Sequence, residues 1–298
     1  MSPTSRLQVE SLFDPATSTF SHILWDSANS QGAIIDSVLD YDPKSGRSST
    51  ESADRLVARV KALGVQVQWI LETHVHADHI SAAPYLKQAL GGQVAIGAHV
   101  RTVQKTFGQL FNAEEAFVRD GSQFDRLFED GHHFQIGELQ ALAMHTPGHT
   151  PACMTYVVRD HSVDPIRTVA FVGDTLFMPD FGTARCDFPG GSASTLYRSI
   201  QKVLALPPET TLYLCHDYPP EDRAAQCITT VAEQRAANIH VHEGIAEADF
   251  VAMREKRDAT LDMPVLILPS VQVNMRAGHW PPAEDNGITY LKIPVNAV

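Results

Sequence analysis

The segment Thr73-His74-Val75-His76-Ala77-Asp78-His79 puts four metal-competent side chains into six positions, directly behind the apolar run Val65 to Leu71. That run reads as a short buried strand. The histidines therefore lie on a loop at the carboxyl end of a strand, where a rigid scaffold projects ligands from one edge of a sheet. In an extended loop His74 and His76 point the same way, while Asp78 and His79 turn toward a second position. Imidazole nitrogens and a carboxylate suit zinc, iron or manganese, with no thiolate required. A solvated connector is the competing reading. It accounts poorly for three histidines so close together with a helix following almost at once.

The same design recurs downstream. His149 lies in Thr146-Pro147-Gly148-His149-Thr150, where a Pro-Gly turn after an apolar strand fixes the imidazole. Asp174 ends the strand Thr168 to Val172 and suits one metal or a bridge between two. His216 follows the strand Thr211 to Cys215 and completes a second set of neutral donors. Any of these alone fits a hydrogen-bonded structural role, and it is their combination with the first motif that points to a metal centre. His22, His99, His132, His133, His161, His240, His242 and His279 lack comparable neighbours and are expected at the surface or in structural roles.

The surrounding pattern is α+β. Short strands are expected at Leu7–Phe13, Thr19–Trp25, Gly32–Asp36 and Val94–Ile96, then as a hairpin over His132–His145 turning at Gly137-Glu138, and at Cys153–Val158. Helical spacing marks Ser49–Leu63, Ile80–Leu90, Ser192–Leu204, and segments from about 221 to 236 and 246 to 258. A last strand is expected at Val265-Leu266-Ile267-Leu268-Pro269. Two packed sheets covered by helices is the architecture this implies. We expect one domain spanning 1–298, with a C-terminal extension of helices and strand from about residue 219. No GxGxxG follows a strand, which excludes a dinucleotide-binding fold.

Composition narrows the partners. A net charge of −12 gives no support to a basic phosphate-binding face, and no nucleic-acid partner is expected. No stretch approaches 18 consecutive apolar residues, and the N-terminus lacks an export signal, so a cytoplasmic protein without membrane association is expected. Three of the four cysteines, Cys153, Cys215 and Cys227, sit in or beside apolar segments and read as reduced core thiols. Cys186 is expected in a polar Gly-rich loop.

Taken in order, THVHADH, PGHT, GDTLF and CHDY resemble the metallo-beta-lactamase superfamily. The resemblance implies an αββα sandwich of two mixed β-sheets flanked by helices. Within it, PGHTPACMTYV, FVGDTLF, the Arg185-Cys186-Asp187-Phe188 stretch, LYRSIQKVLALPPET and LCHDY are similar to persulfide dioxygenases. These oxidise glutathione persulfide with O2 to sulfite and glutathione. That branch implies one Fe(II) per chain on His74, His149 and Asp174, a two-histidine, one-carboxylate triad. His76, Asp78, His79 and His216 would then orient ligands and water, while keeping the capacity to bind a second metal.

The competing branch is glyoxalase II, a binuclear hydrolase of glutathione thioesters using Zn(II), Mn(II) or a mixed centre. It implies His74, His76 and His149 on one ion, Asp78, His79 and His216 on the other, and Asp174 between them. Resemblance also implies Arg185 and Tyr197 as groups near the reacting atoms or the substrate, and Arg254 and Arg257 on FVAMREKRD as holders of glutathione carboxylates. A homodimer is expected. The chain departs from both branches in its 178–191 loop, MPDFGTARCDFPGG, and in its tail, which shares only Pro-Ser and Asn274…Gly278 elements with the dioxygenases. The dioxygenase is the favoured expectation.

Overall fold

A computed structural model describes residues 4–219 and 223–297. The N-terminal half runs β1 (Leu7–Asp14), β2 (Thr19–Asp26), β3 (Gln31–Ile35), β4 (Val38–Asp42), β5 (Arg47–Ser49), α1 (Glu51–Leu63), β6 (Gln66–Leu71), β7 (Ile80–Ser81), α2 (Ala83–Leu90), β8 (Gln93–Gly97), α3 (Val100–Leu110) and β9 (Arg126–Phe128). The C-terminal half runs β10 (His132–Ile136), β11 (Leu139–His145), β12 (Met154–Asp160), β13 (Arg167–Phe171), α4 (Ala193–Leu204), β14 (Thr211–Tyr213), β15 (Ile228–Thr230), α5 (Val231–Ala237), α6 (Glu247–Asp258) and α7 (Ile267–Asn274).

Two mixed sheets result, in the orders β1-β2-β3-β6-β8-β9 and β10-β11-β12-β13-β14-β15, with a small β5-β4-β7 sheet beside them. Period-two alternation sorts the side chains. In the first sheet Leu24, Ala33, Ile35 and Leu71 face Ala141, Tyr156, Val158 and Phe171 of the second. Their neighbours Ile23, Ile34 and Ile70 face the other way, onto Leu56, Val60, Leu86, Val103 and Phe107 of α1, α2 and α3. On the far side Val157 and Ala170 meet Leu196, Ile200 and Phe250 of α4 and α6. These three apolar layers are the αββα sandwich. Fully burying each large side chain in them is worth roughly 1.5–3 kcal/mol.

The strands and helices lie close to expectation except in a few places. Ile80 does not begin a helix, because Ile80–Ser81 pairs with Val38 and Leu39 and the helix starts at Ala83. The segment from 265 is helical rather than extended: Pro269 falls in the first turn of α7, where no N–H is needed, so the helix tolerates it. The helix expected from about 221 begins partly outside the described residues, and α5 itself starts only at Val231. The β-branched run Ile228-Thr229-Thr230 pairs with β14 instead, and Thr230 with Glu233 forms a capping box that starts the helix there. His132 and His133 open strand β10, the first arm of the expected hairpin. All four cysteines are free and buried, Cys186 included, because its loop folds down onto α4 and α6. No helix among the described residues is long and apolar enough to cross a membrane.

His22 on β2 illustrates how the sandwich treats a buried base. It accepts from Ser11 Oγ at 2.8 Å, and its Nε2–H donates to the Leu214 carbonyl at 3.1 Å. Burial lowers its pKa from 6.5 to about 4, although Asp36 pulls the other way. The folded value lies below the unfolded one, so the unfolded chain binds the proton first. Stability from this group is therefore complete above 6.5 and falls as pH drops toward 4. Urea unfolding should lose about 2–3 kcal/mol through this residue between pH 7 and pH 4.5. His22→Phe should be less acid-sensitive by that amount, and an identical pH dependence in both proteins would refute the assignment.

Candidate metal centre

All seven expected ligands meet at one edge of the two sheets. The loop after β6 carries His74, His76, Asp78 and His79, and the loop after β11 carries His149. The turn after β13 carries Asp174, and the chain after β14 delivers His216. Hydrogen bonds join the halves here: Met154 N–H donates to Thr73 O at 2.8 Å and Phe20 N–H to Cys215 O at 2.7 Å. Two glycines allow the tight turns. Gly148 has φ +139° with its Cα packed on the start of α4, and Gly173 has φ +51° against Thr73.

The donor atoms gather into four overlapping groups, two of which hold the seven expected ligands, while the others join Asp36 with His76 and Cys215, and Asp174 with Cys215 and His216. His74, His149 and Asp174 offer atoms within 4.8 Å of one another, as do His76, Asp78, His79 and His216. Asp174 Oδ2 lies 3.9 Å from His74 Nε2 and 3.6 Å from His149 Nε2, while its Oδ1 lies 3.4 Å from His216 Nε2. Asp78 Oδ2 is 3.2 Å from His216 Nε2. His74, His76, His79 and His216 are completely or almost completely buried, and the Asp78 side chain, at 22% exposure, is the most open of the set.

Each imidazole is held by one nitrogen and leaves the other free. Thr73 Oγ1 donates to Asp36 Oδ2 at 2.9 Å and so accepts from His74 Nδ1–H at 3.0 Å. His149 Nδ1–H donates to the Arg185 carbonyl at 2.7 Å. His76 Nε2–H donates to Asp36 Oδ1 at 3.0 Å, with Glu72 Oε2 at 3.5 Å. The Thr19 hydroxyl lies 3.4 Å from His79 Nδ1 and 3.3 Å from His216 Nδ1. What remains is a set of buried polar atoms without a hydrogen-bond partner among the described residues: His74 Nε2, His76 Nδ1, His79 Nε2, His216 Nε2 and Asp174 Oδ1. Leaving such groups unsatisfied costs about 1–3 kcal/mol each. They converge with lone pairs facing inward, and that donor set fits metal ions.

The electrostatics favour a metal ion at His74 and Asp78, while His76 is drawn toward its protonated form. Burial, followed by the His76 and His149 rings, holds the His74 pKa well below the usual range, which favours the neutral, metal-binding form. Burial acts on His76 in the same sense, but Asp36 and Glu72 outweigh it and raise its pKa well above the usual value. Asp78 sits well below the carboxylate range: His216 and His79 overcome the opposing effect of burial.

The other expected residues divide. Arg185 reaches the centre through its carbonyl, while its guanidinium forms a bidentate pair with Asp187, both distances 2.6 Å, and donates to Asp262 O. It also lies 5.0 Å from the Phe188 ring, which packs edge-on against His149. Tyr197 is not brought to the metal ligands. Its hydroxyl donates to Ile245 O at 2.8 Å, in a separate cleft with Arg235, His242 and Glu243, because α4 turns that face toward α5 and the segment before α6. Arg254 is also misplaced as a substrate contact. It is 1% exposed, pairs with Asp258 at 2.6 Å and donates to Thr183 O at 3.0 Å, which pins the 178–191 loop to α6. Arg257 is exposed, with its guanidinium 5.9 Å from the Phe181 ring.

Sequence reasoning assigned no role to Asp36, Glu72 or Thr19. Asp36 and Glu72 stand directly after apolar strands, the same signal that marked the ligands. Thr19 carries no such signal, because its role depends on an isolated pairing with His216.

A family model described as the metallo-beta-lactamase superfamily matches residues 16–216. A probable metallo-hydrolase of Burkholderia pseudomallei is 65% identical, covering 98% of this chain and 100% of its own. Glyoxylase B2 of Dictyostelium discoideum is 50% identical over 99% of both chains. The mitochondrial persulfide dioxygenase ETHE1 of Bos taurus is 32% identical over 90% of this chain and 87% of its own. Among solved structures, ETHE1 from Myxococcus xanthus superposes with a TM-score of 0.70 at 28% identity, covering 91% of this chain and 100% of that one.

Proposed function

Because the chain belongs to the metallo-beta-lactamase superfamily and is a metal-dependent enzyme, we propose that it is a persulfide dioxygenase. In this reading it oxidises glutathione persulfide with O2 to sulfite and glutathione at one ferrous ion held by His74, His149 and Asp174. The way the ligand atoms divide carries the reading. His74, His149 and Asp174 form one set, and His76 belongs to the other. A binuclear thioester hydrolase draws His76 onto the same ion as His74 and His149. Here the His76 donor groups with those of Asp78, His79 and His216, although its ring also packs 4.0 Å from that of His74. Two histidines and one carboxylate are the ligand pattern of non-haem ferrous oxygenases.

A ferrous ion held by His74, His149 and Asp174 would supply the redox chemistry of O2. The chain itself orients and encloses. Thr73 and the Arg185 carbonyl fix the two imidazoles of the triad. Phe177, Phe181 and Tyr218 pack into an aromatic wall beside His216, and Phe188 closes against His149. Such walls limit water at a reactive site. Arg257, exposed above Phe181, is the remaining arginine for a glutathione carboxylate.

The second set supports one other reading, hydrolysis of a glutathione thioester with a second Zn(II) or Mn(II) on His76, Asp78, His79 and His216. The metallo-hydrolase and glyoxylase relatives also favour it. Anaerobically purified protein is expected to hold about one iron per chain. With glutathione persulfide it should consume O2 and release sulfite, and it should cleave glutathione thioesters slowly or not at all. Two bound metals with rapid thioester hydrolysis, and no persulfide-dependent O2 uptake after iron loading, would overturn the proposal.

A further inference from the structure

The loop that carries His74, His76, Asp78 and His79 has almost no main-chain support of its own. Among the described residues, no hydrogen bond between backbone groups reaches residues 74–79. Its support comes from α7, almost two hundred residues later in the chain and outside the stretch matched by the family model. Asn274, the last residue of that helix, is 4% exposed. Its Nδ2 donates to His76 O at 2.9 Å and His79 O at 2.7 Å, and its Oδ1 accepts from Ser81 N–H at 2.8 Å. The partners fix the amide's orientation, since two carbonyls require the NH2 and an N–H requires the oxygen.

The two carbonyls bracket Ala77 and Asp78, so one side chain closes both ends of the turn that aims Asp78. The helix is in turn secured just beyond Asn274. Arg276 forms a bidentate pair with Glu114 at 2.6 and 2.8 Å and stacks over Phe117, and Gln104 donates to Met275 O.

We propose that Asn274 is a positioning residue of the metal centre: by holding the main chain of residues 76–79, it lets the C-terminal helix set the geometry and affinity of the metal site. The inference rests on the reading of residues 74–79 as metal ligands, not on the reaction performed there. Partners that orient ligands without touching the ion typically contribute about 10–100-fold in metal affinity, and Asn274 is expected to fall in that range.

Cobalt(II) titration of metal-free protein, followed by visible absorption, tests this without reference to turnover. Asn274→Ala should weaken cobalt binding about 10–100-fold and shift or weaken the absorption bands. Val60→Ala, a truncation in the core beneath α1, serves as the stability control: it should lower the thermal midpoint yet keep the wild-type spectrum and affinity. Asn274→Asp keeps the acceptor for Ser81 N–H but loses the donor to both carbonyls, so it should show the same weakened cobalt binding and altered bands, and it carries the test if the alanine variant does not fold. Wild-type cobalt affinity and spectrum in the Asn274 variants would overturn the proposal. So would equal spectral changes in Val60→Ala, which would reduce the effect to general destabilisation, and so would a wild-type protein that takes up no cobalt. Failure of persulfide oxidation in protein that passes the cobalt test would count against the proposed reaction alone.

Discussion

Alanine at His74, His149 or Asp174 is expected to strip the protein of its metal and its activity while leaving a folded chain. Each of these side chains ends a strand whose own core contacts lie elsewhere, in layers the substitution does not touch. Truncating His74 also removes a buried, unpartnered nitrogen, so the metal-free fold sheds a cost of about 1–3 kcal/mol along with the ligand. The loss of affinity should go well beyond the ~10–100-fold typical of a residue that only orients ligands. Asp36→Ala provides that comparison, because it releases Thr73 and His76 together without deleting a ligand. Elemental analysis of the purified variants and their thermal melts are the measurements. Wild-type metal content in all three would defeat the assignment, whatever their activity.

Gly148→Ala should be the most damaging single-methyl change near the centre. Its φ of +139° lies where side chains are strained, and a Cβ would sit 2.3 Å from both Leu196 Cα and Leu196 N. Those are backbone atoms in the first turns of α4, and Leu196 is itself buried in the outer core, so neither side can yield cheaply. Overpacking costs roughly 1–3 kcal/mol and backbone strain about as much again. Because His149 is the next residue, the displacement passes straight into the ligand set. Gly131→Ala is the control: its φ is +78°, but a Cβ there meets nothing within 4 Å, so only about 1 kcal/mol of strain is expected. Equal melting temperatures and metal contents for the two variants would show that the close approach to Leu196 is not limiting.

The ligand set was legible because it follows a local rule: an acid or an imidazole placed just after a buried strand. All seven residues obey that rule, as do Asp36 and Glu72. What escaped were roles set by partners distant in sequence. Arg254 and Arg257 share a helix and a spacing, yet Asp258 and Thr183 bury the first while the second stays in solvent. Tyr197 has the chemistry of a catalytic phenol, but α4 packs it toward Ile245. The segment from Val265 reads as strand by composition but folds as helix α7, although β7 beside it is the edge strand of the small sheet. The helix also contacts α3.

The triad is divided unequally between the layers of the sandwich. His74 comes from the first sheet, while His149 and Asp174 come from the second. A nascent chain that has made only its first sheet therefore owns one member of that triad, and the other two emerge at least seventy residues later. Ion capture at the triad becomes a timestamp: only molecules whose two sheets have already docked hold a load there. A bound ion then resists their parting by mass action, so protein starved of metal during expression should melt at a lower temperature than loaded protein.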